Sequence, residues 1–562
     1  MMVVRLAVVL AAAHFAAACT STPPRFPHGV ASGDMTNESA VLWTRASRTS
    51  TLVPELSTTP GFEWPRTLAP VTAAASGDFT AKTLAFGLEP GTRYYYRFRS
   101  GRSVSPVGTF RTAYAPAQPA VVRMAFTGDA DWRFKPYPIL SSLARENLDY
   151  FVFLGDLVYE WNDADLTDVA DDLEGYRMKY RENREPRPGS PSQAVPMLDL
   201  YAAFGQYSVF DNHETGHSLD PGAPPYTTGG APFGGGFVNQ TPGHRERMRA
   251  YREYQPVREE VHDGSDARTN DTHRFYRAYS WGANVELIVL DARSYRDARL
   301  KSSAEPAAGD CNRTMLGAVQ LAWAQQALLA AKQRGAVWKV VVVSSPLQAF
   351  GGPAEAGTDQ DGTKSWIGAY RCERNRLLAF IDANAIDNVV FLTTDNHYTA
   401  INNLDYETIP GDRRSARRPA RNAFEIMTGP LGAGTSPAPY GRKVDVTGLS
   451  RREADRRMLA IWHGEAPDGD GKTIGLKGTD RIGLESAFPG LDVAGKVEPL
   501  AFASFRSFSY AVLTFDSGRL LVEVKTMPAV PDPKRLETDM GALVEYESRA
   551  VEDTLRFAIR AR

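Results

Sequence analysis

Five apolar segments that each end abruptly in polar side chains dominate the pattern of hydrophobic and polar positions. Residues 151–154 form an unbroken apolar run followed directly by Gly155 and Asp156, a pattern typical of a buried strand that opens into a polar loop. In open α/β sheets, ligands and metals collect at the carboxyl ends of the strands. The pattern therefore predicts a site at that edge of a sheet. The other four runs cover residues 121–126, 206–210, 285–290 and 388–392.

The order of these elements predicts four parts. From about residue 25 the runs are short, rich in aromatic and β-branched residues and split by turn signals, which is typical of a small antiparallel sandwich of the immunoglobulin or fibronectin type. From about residue 120 strands alternate with helices, which predicts an α/β domain of mixed sheets with flanking helices. The four parts are a signal peptide at 1–19, the β-sandwich at 25–113, the α/β domain at 120–530 and a C-terminal tail at 531–562.

Asp129 and Asp156 each follow a glycine at the end of one of these strands. They lie 27 positions apart, a separation that suits one βαβ crossover, so both are expected at the same edge of neighbouring parallel strands. Two carboxylates brought together repel each other unless a cation lies between them. A metal ion is the simplest explanation.

Two further strand ends add ligands of other types. The run Asn212-His213-Glu214 supplies a neutral oxygen, an imidazole and a carboxylate that can orient the ring. Asp395 and His397, two residues apart, can both turn toward one ion. The complete set is mostly oxygen, which favours calcium, magnesium, manganese or ferric iron, and its one phenol suits iron in particular. The predicted ligands are Asp129, Asp156, Tyr159, Asn212, Asp395 and His397.

The net charge and the N-terminal sequence indicate which partners and which cellular compartment to expect. With 64 lysines and arginines against 66 aspartates and glutamates, no global charge favours nucleic acid or an anionic membrane surface. Arg5, an apolar stretch over residues 6–13 that is too short to span a membrane, and small residues up to Ala18 have the layout of a secretory signal. Residues 16–21 resemble a bacterial lipobox, which implies cleavage before Cys19 and lipid attachment to it, with plain cleavage and release as the alternative. We expect an exported protein that is periplasmic, extracellular or anchored as a lipoprotein.

The sequence allows two interpretations for each of two residue pairs. Cys311 and Cys372 form an even pair, which is a disulfide candidate in an oxidising compartment; two unpaired buried thiols are the alternative. Arg177 and Arg181 follow an acidic stretch. An arginine there can grip a phosphate group with two hydrogen bonds, and a solvated helix face explains the same residues equally well.

Several motifs, in their order, resemble the calcineurin-like metallophosphoesterases and, more narrowly, the alkaline phosphatase D (PhoD-like) family. The broad pattern is Gly-Asp, Gly-Asp-x-x-Tyr, Asn-His-Glu and Asp-x-His. The narrower likeness runs from about residue 26 to residue 404, the sandwich included. It is carried by FPHGVASGD at 26–34, LGDLVYE at 154–160, LDARSYR at 290–296 and the Trp323 segment before Trp338.

The resemblance implies a calcineurin-like fold and a secreted hydrolase of phosphomonoesters and phosphodiesters, in some members of phospholipids, with iron and calcium in the site. Carried over by motif, the six predicted ligands hold metal and His213 faces the substrate phosphate. The chain departs from the family at Ala130, where members carry a cysteine ligand; Asp131 can compensate. No histidine lies between His273 and His397, so fewer nitrogen ligands are expected.

These residues together predict metal-assisted hydrolysis. Two ions about 3.5–4 Å apart would lower the pKa of a bound water from about 15.7 to nearer 7 and hold the phosphoryl oxygens. His213 would stabilise or protonate the leaving oxygen, while Arg177 or Arg181 neutralises charge on the phosphoryl group. The alternatives are a phospholipase D-like phosphodiesterase of the same fold and a catalytically inactive module that binds cell-envelope polymer.

Overall fold

The structure, a computed structural model, describes residues 22–163, 168–216, 239, 242–262, 266–297, 300, 306–348, 365–412, 414–435, 444–462, 466–467, 503–530 and 532–562. The predicted signal peptide, with Cys19, lies outside these residues. The strands are β1 Val30–Gly33, β2 Ser39–Arg45, β3 Ser50–Ser57, β4 Arg66–Thr67, β5 Val71–Ala73, β6 Thr80–Phe86, β7 Arg93–Ser100, β8 Ser103–Val104, β9 Gly108–Arg111, β10 Val122–Thr127, β11 Tyr150–Phe153, β12 Gln206–Ser208, β13 Arg277–Trp281, β14 Val285–Val289, β15 Trp338–Val342, β16 Val389–Thr393, β17 Thr399–Glu407, β18 Arg417–Met427, β19 Ala503–Ser504, β20 Ser507–Phe515, β21 Arg519–Pro528 and β22 Asp553–Arg560. The α-helices are α1 Ile139–Leu143, α2 Leu173–Glu182, α3 Pro196–Ala203, α4 Asn212–Thr215, α5 Pro242–Tyr254, α6 Gly317–Gln333, α7 Trp366–Ala369, α8 Arg371–Ala383, α9 Arg451–Trp462, α10 Arg535–Thr538 and α11 Met540–Glu547.

Two large sheets pack face to face, with helices on their outer faces. One sheet has nine strands in the order β22-β21-β20-β10-β11-β12-β1-β2-β6, and the other has seven in the order β13-β14-β15-β16-β18-β17-β19. Successive residues of a strand point to opposite faces of its sheet. Met124 and Phe126 of β10 therefore meet Val340 and Val390 in the core between the sheets, whereas Ala125 faces the outer helices. The predicted mixed sheets with flanking helices are observed.

Both sheets contain a parallel set of strands. In the nine-stranded sheet β10, β11 and β12 are parallel neighbours, and in the seven-stranded sheet β14, β15, β16 and β18 are parallel neighbours. The carboxyl ends of parallel strands meet at one edge of their sheet. The loops that follow β10, β11, β12 and β16 can therefore converge.

The N-terminal all-β region shares a sheet with the rest of the molecule. Strands β3, β4, β5, β7, β8 and β9 form a separate six-stranded sheet, but β1 pairs in parallel with β12, where Gly33 lies opposite Gln206. A Cβ atom on Gly33 would lie 2.5 Å from the carbonyl oxygen of Pro256, so only glycine fits at this junction. The region that the sequence sets apart as 25–113 therefore supplies one edge of the larger sheet.

The last part of the chain corrects a prediction. Residues 532–562 form α10, α11 and β22, and β22 pairs with β21 over eight residues, from Asp553 to Arg560. The predicted C-terminal tail is wrong because Phe557 and Ile559, two positions apart, are buried in the core between the sheets. This alternation is the sequence signal of a half-buried strand.

Cys311 and Cys372 form a disulfide whose Cα atoms are 5.0 Å apart. The bond connects the segment that precedes α6 with the first turn of α8. It lies on the side of the seven-stranded sheet that faces away from the core between the sheets.

Candidate metal centre

The predicted ligands come from loops that follow four different strands. Asp129 follows β10, Asp156 follows β11, Asn212 begins α4 after β12, and Asp395 follows β16. The loops are tied to one another through their backbones, because the Asp129 N–H donates to the Gly155 carbonyl oxygen at 3.1 Å. Ligands from both large sheets therefore meet at one edge.

Four of these residues adopt a left-handed backbone conformation that non-glycine residues rarely use. The φ angles are 62° at Asp129, 49° at Asp156, 78° at Asp395 and 56° at His397. Such strain persists only where the surrounding structure imposes it, and it concentrates at functional sites. The strained turns after β10, β11 and β16 are therefore candidate functional positions.

The side chains form two overlapping groups that could each hold a metal ion. One ligand atom from each of Asp129, Asp156 and His397 lies within 4.8 Å of the others, and the same holds for Asp156, Asp211 and Asp395. Asp156 belongs to both groups. A carboxylate with two oxygens can bridge two cations, so the geometry suits a pair of ions that share this ligand.

The electrostatics of the site call for a cation. Burial raises the pKa of the Asp156 carboxyl well above its usual range, and the nearby carboxylates Asp211 and Glu214 raise it further. Burial also raises the pKa of the Tyr159 phenol, with added repulsion from Asp156 and Asp129. A bound cation would reverse both shifts by stabilising the negatively charged forms.

The first group contains a nitrogen and a phenol. The Nδ1 atom of His397 lies 2.6 Å from the carbonyl oxygen of Gly434 and donates its hydrogen there, which leaves the Nε2 lone pair toward the cluster. Nε2 is 3.0 Å from the Tyr159 hydroxyl and 3.9 Å from a carboxylate oxygen of Asp129. The hydroxyl of Thr394 donates to the other oxygen of Asp129. This group fits a metal that takes imidazole, phenolate and carboxylate ligands.

The second group is made of oxygens alone. The Asn212 side-chain amide lies 3.1 Å from a carboxylate oxygen of Asp395 and 3.1 Å from one of Asp211. With its oxygen facing them, three acceptors meet and a cation is needed to reconcile them; with the amide turned, its NH₂ group donates to both. Because the amide can turn its oxygen toward a cation, this set of oxygens fits a hard metal ion.

His213 and Glu160 form a buried pair beside the clusters. The imidazole Nδ1 lies 2.6 Å from the Glu160 carboxylate, and the backbone N–H of His213 donates to Asp156 at 3.0 Å. The ring packs on Tyr159, with centroids 3.9 Å apart. Glu160 therefore fixes the ring with its Nδ1 hydrogen on the carboxylate, and Nε2 becomes the nitrogen that can exchange a proton with another group.

The two arginines predicted to grip phosphate do not join this site. Arg177 donates to the Glu253 carboxylate at 2.7 Å from both Nε and Nη2. Arg181 pairs with Asp78 at 2.6 Å and with Glu174 at 2.8 Å. The structure does not bring them to the ligand groups, because both guanidinium groups are engaged between α2, α5 and the N-terminal region.

Asp131 does not compensate for Ala130. Its carboxylate accepts hydrogen bonds from the Nε of Arg133 at 2.9 Å and from the backbone N–H of Arg133 at 3.0 Å. It caps the short helical turn that follows and takes no part in either ligand group of the described residues. The structure therefore places this carboxylate in a local cap and outside the candidate ligand groups.

Sequence reasoning missed three residues that the structure brings to the centre: Glu160, Asp211 and Arg293. Glu160 and Asp211 directly adjoin the predicted ligands Tyr159 and Asn212, so strand-end position was an available signal. Arg293 lies in the LDARSYR run after β14. Nothing in the sequence indicates that its guanidinium is completely buried against Asp211.

The class of protein follows from fold and centre together: the molecule has a metallophosphoesterase fold. A solved structure described as PhoD matches with a TM-score of 0.67 and 23% identity, over 91% of this chain and 88% of that one. The purple acid phosphatase PPD1 from yellow lupin (Lupinus luteus) seeds matches with a TM-score of 0.50 and 13% identity, over 95% of this chain and 73% of that one.

The chain belongs to the PhoD-like phosphatase family. The family model described as PhoD-like phosphatase matches residues 124–460, and the model of its N-terminal domain matches residues 11–114. A relative, alkaline phosphatase D of Bacillus subtilis (strain 168), is 27% identical over 429 residues, which cover 68% of this chain. They cover 66% of the relative, so the chain spans just under two thirds of its length. The predicted family is confirmed.

Among the parts of the chain that the structure describes, no helix combines the length and the apolar character that crossing a bilayer requires.

Proposed function

We propose that this protein is a metal-dependent hydrolase of phosphomonoesters, phosphodiesters or both. The observation that carries the proposal is the pair of ligand groups that share Asp156. In phosphoryl transfer most of the catalysis comes from positioning and from stabilising negative charge. The residues of the two groups could hold two neighbouring cations, which would supply both, as in two-metal phosphatases.

The two groups differ in the ions they favour. Asp129, Asp156, Tyr159 and His397 would hold the first ion, and their phenol and imidazole favour iron. Asp156, Asn212 and Asp395 would hold the second, and an all-oxygen set favours calcium, with magnesium or manganese as alternatives. Bound ions supply the positive charge that stabilises the phosphoryl group and lower the pKa at which water ionises.

His213 is the residue of this chain that moves the proton. Glu160 holds its Nδ1 hydrogen, and a buried carboxylate in this position stabilises the imidazolium that forms when Nε2 takes up a proton. The ring can therefore protonate the oxygen of the leaving alcohol. Among the described residues, Arg293 contacts the second group, but its guanidinium is fully buried against Asp211, so bound ions would have to neutralise the phosphoryl charge.

The first experiment measures metals and turnover on the same preparation. The chain from residue 20 onward is purified, its metals are quantified by elemental analysis, and hydrolysis of bis(p-nitrophenyl) phosphate and p-nitrophenyl phosphate is followed before and after chelation. We expect bound metal, chelator-sensitive hydrolysis and about a thousandfold loss in Asp156→Asn, because both groups lose a ligand. A metal-free protein that resists reconstitution would overturn the proposal in favour of an inactive binding module.

We also infer export, with lipid attached at Cys19. The signal layout at residues 1–19 supports it, and so does the Cys311–Cys372 disulfide, because disulfides persist mainly in oxidising compartments. An anchored enzyme could reach phospholipid substrates. Labelling with a fatty acid should mark the wild type but not Cys19→Ala, which should move to the soluble fraction. Equal labelling of both proteins would contradict lipid attachment at this residue.

A further inference from the structure

Arg293 is a complete guanidinium group enclosed in the carboxylate cluster. Its side chain is 0% exposed. Nε donates to a carboxylate oxygen of Asp211, and Nη2 lies 3.6 Å from a carboxylate oxygen of Asp395, beyond hydrogen-bond distance. A group so deeply buried cannot touch a phosphoryl group that approaches from solvent. Arg293 can therefore affect the site only through the neighbouring carboxylates of Asp211 and Asp395.

Two kinds of interaction compete for the Asp211 carboxylate, metal binding and hydrogen bonding. Its carboxylate lies close enough to Asp156 and Asp395 to serve as a metal ligand. The oxygen that accepts from Arg293, however, also accepts from the hydroxyl of Ser344 at 2.5 Å. A carboxylate oxygen with two donors, one of them charged, is poorly placed to bind a metal ion as well.

We propose that Arg293 is a positioning residue that keeps Asp211 out of the metal-binding set and leaves Asp156, Asn212 and Asp395 as the protein ligands of the second ion. The inference rests on the proposed function. Asp211 directly precedes α4, which begins with Asn212 and His213, so the ion pair also fixes where that short helix starts. Arg293 thus sets both the charge and the geometry around the second ion.

The backbone around Arg293 is itself held rigidly. The N–H groups of Arg293 and Ser294 both donate to the Asp291 carboxylate at 2.9 Å. The side chain of Gln320, from α6, exchanges hydrogen bonds with the backbone of Asp291 at 2.8 Å in both directions. The rigid fork of arginine suits this fixed position, and a flexible lysine does not reproduce it.

The number of ions bound by the wild type and two variants tests the proposal directly. Asp211→Asn keeps an oxygen for Arg293 and Ser344, so we expect the wild-type number of ions by elemental analysis. Asp395→Asn is the matched control, and we expect it to lose one ion per chain. Loss of one ion from Asp211→Asn would overturn the proposal, because Asp211 would then be a ligand. A wild type without metal would instead refute the proposed function, so the two failures are distinguishable.

A double-mutant cycle tests whether Arg293 acts through Asp211. Arg293→Met removes the cation that pairs with the buried Asp211 carboxylate, and we expect turnover or affinity for the second ion to fall by 10–100-fold, as for other residues that orient metal ligands. Arg293→Met with Asp211→Asn leaves no unpaired charge and should recover most of that loss. A double variant as impaired as the product of the two single effects would contradict the proposal. The ion count of Asp211→Asn decides the question should Arg293→Met fail to fold.

Discussion

Asp156 connects the parts of the candidate centre more closely than any other single residue discussed. It belongs to both ligand groups, and it accepts the backbone N–H of His213 at 3.0 Å. Its own backbone N–H donates to the Glu214 carboxylate at 2.9 Å. Four carboxylates close to it raise its pKa in addition to the larger effect of burial. The cost of keeping it ionised without a cation leads to a prediction about pH.

Metal removal should destabilise the protein more at pH 8 than at pH 6. In the metal-free protein the folded-state pKa of Asp156 is raised above its unfolded value. Its contribution is therefore fully present at low pH and is lost as pH rises through the folded pKa. We expect the melting temperatures with and without chelator to diverge by several degrees from pH 6 to pH 8. Metal-free Asp156→Asn is the control and should show a flatter pH dependence; an equal difference at both pH values would contradict the argument.

Glu160 should affect catalysis without affecting metal content. Glu160→Gln keeps the size of the side chain but removes the charge that stabilises a protonated His213. We expect kcat to fall by about 10²–10³-fold, within the range for loss of proton transfer, while elemental analysis finds the wild-type metals. His213→Gln should be at least as impaired, and the double variant no worse than His213→Gln. Independent, multiplying effects would show that the two residues do not act as a pair.

At the scale of elements, the turn between β11 and Asp156 determines where the ligands point. Gly155 has φ of 101°, and a Cβ atom there would lie 2.7 Å from the backbone nitrogen of Asp211. This glycine thus allows two ligand-bearing turns, after β11 and after β12, to approach each other. The Glu214 carboxylate connects these two turns, because it accepts hydrogen bonds from the N–H groups of Leu157 at 2.6 Å and of Asp211 at 2.8 Å.

Gly155→Ala should therefore lower the free energy of unfolding far more than a glycine-to-alanine change at an uncrowded site. Gly335 is the matched control, because its φ is 80° but no atom lies within 4 Å of its Cβ position. We expect Gly335→Ala to lower the free energy of unfolding by about 1–2 kcal/mol from backbone strain alone. Gly155→Ala adds a steric clash and should cost about 3 kcal/mol or more, with loss of bound metal. Urea unfolding and elemental analysis measure both; similar costs at the two sites would show that the close approach is not limiting.

For the whole molecule, the N-terminal region is part of the sheet framework that carries the candidate metal centre. Beyond the pairing of β1 with β12, Asp34 forms a buried ion pair with Arg277 at 2.8 Å. The indole of Trp43 donates to the carbonyl oxygen of Glu253 at 2.7 Å. The core between the two large sheets also includes Leu42 and Phe98 from this region.

A chain that begins at residue 114 should consequently fail to form a stable monomer. Its nine-stranded sheet would end at β12 with an unpaired edge, which favours aggregation, and Arg277 would be left buried without its partner. We expect no cooperative thermal transition by circular dichroism and aggregation in sedimentation velocity. The chain from residue 22 is the control and should melt cooperatively. A monomeric 114–562 chain with a cooperative transition would show that the shared sheet is dispensable.

The pattern of apolar runs and strand-end polar residues was enough to predict the mixed sheets and to name Asp129, Asp156, Asn212, Asp395 and His397 together. This reasoning succeeds for two reasons. The two-residue period of a strand can be read directly from the sequence, and the carboxyl ends of parallel strands always meet at one edge of the sheet. The same reasoning placed Arg177 and Arg181 in the site, although α2 directs them toward Glu253 and Asp78. The direction of a helix face depends on the packing of that helix, which the sequence alone does not state.

Local pattern alone thus determined the family motifs, the strands and the identity of most candidate ligands. Tertiary packing decided which charges meet: that Glu160 rather than Glu214 orients the His213 ring, and that Arg293 reaches Asp211 from 82 positions away. Each is a contact between side chains whose positions are set by different strands and turns. An ion pair forms where the folded chain brings two charges within a few ångströms, and no spacing along the sequence encodes that distance.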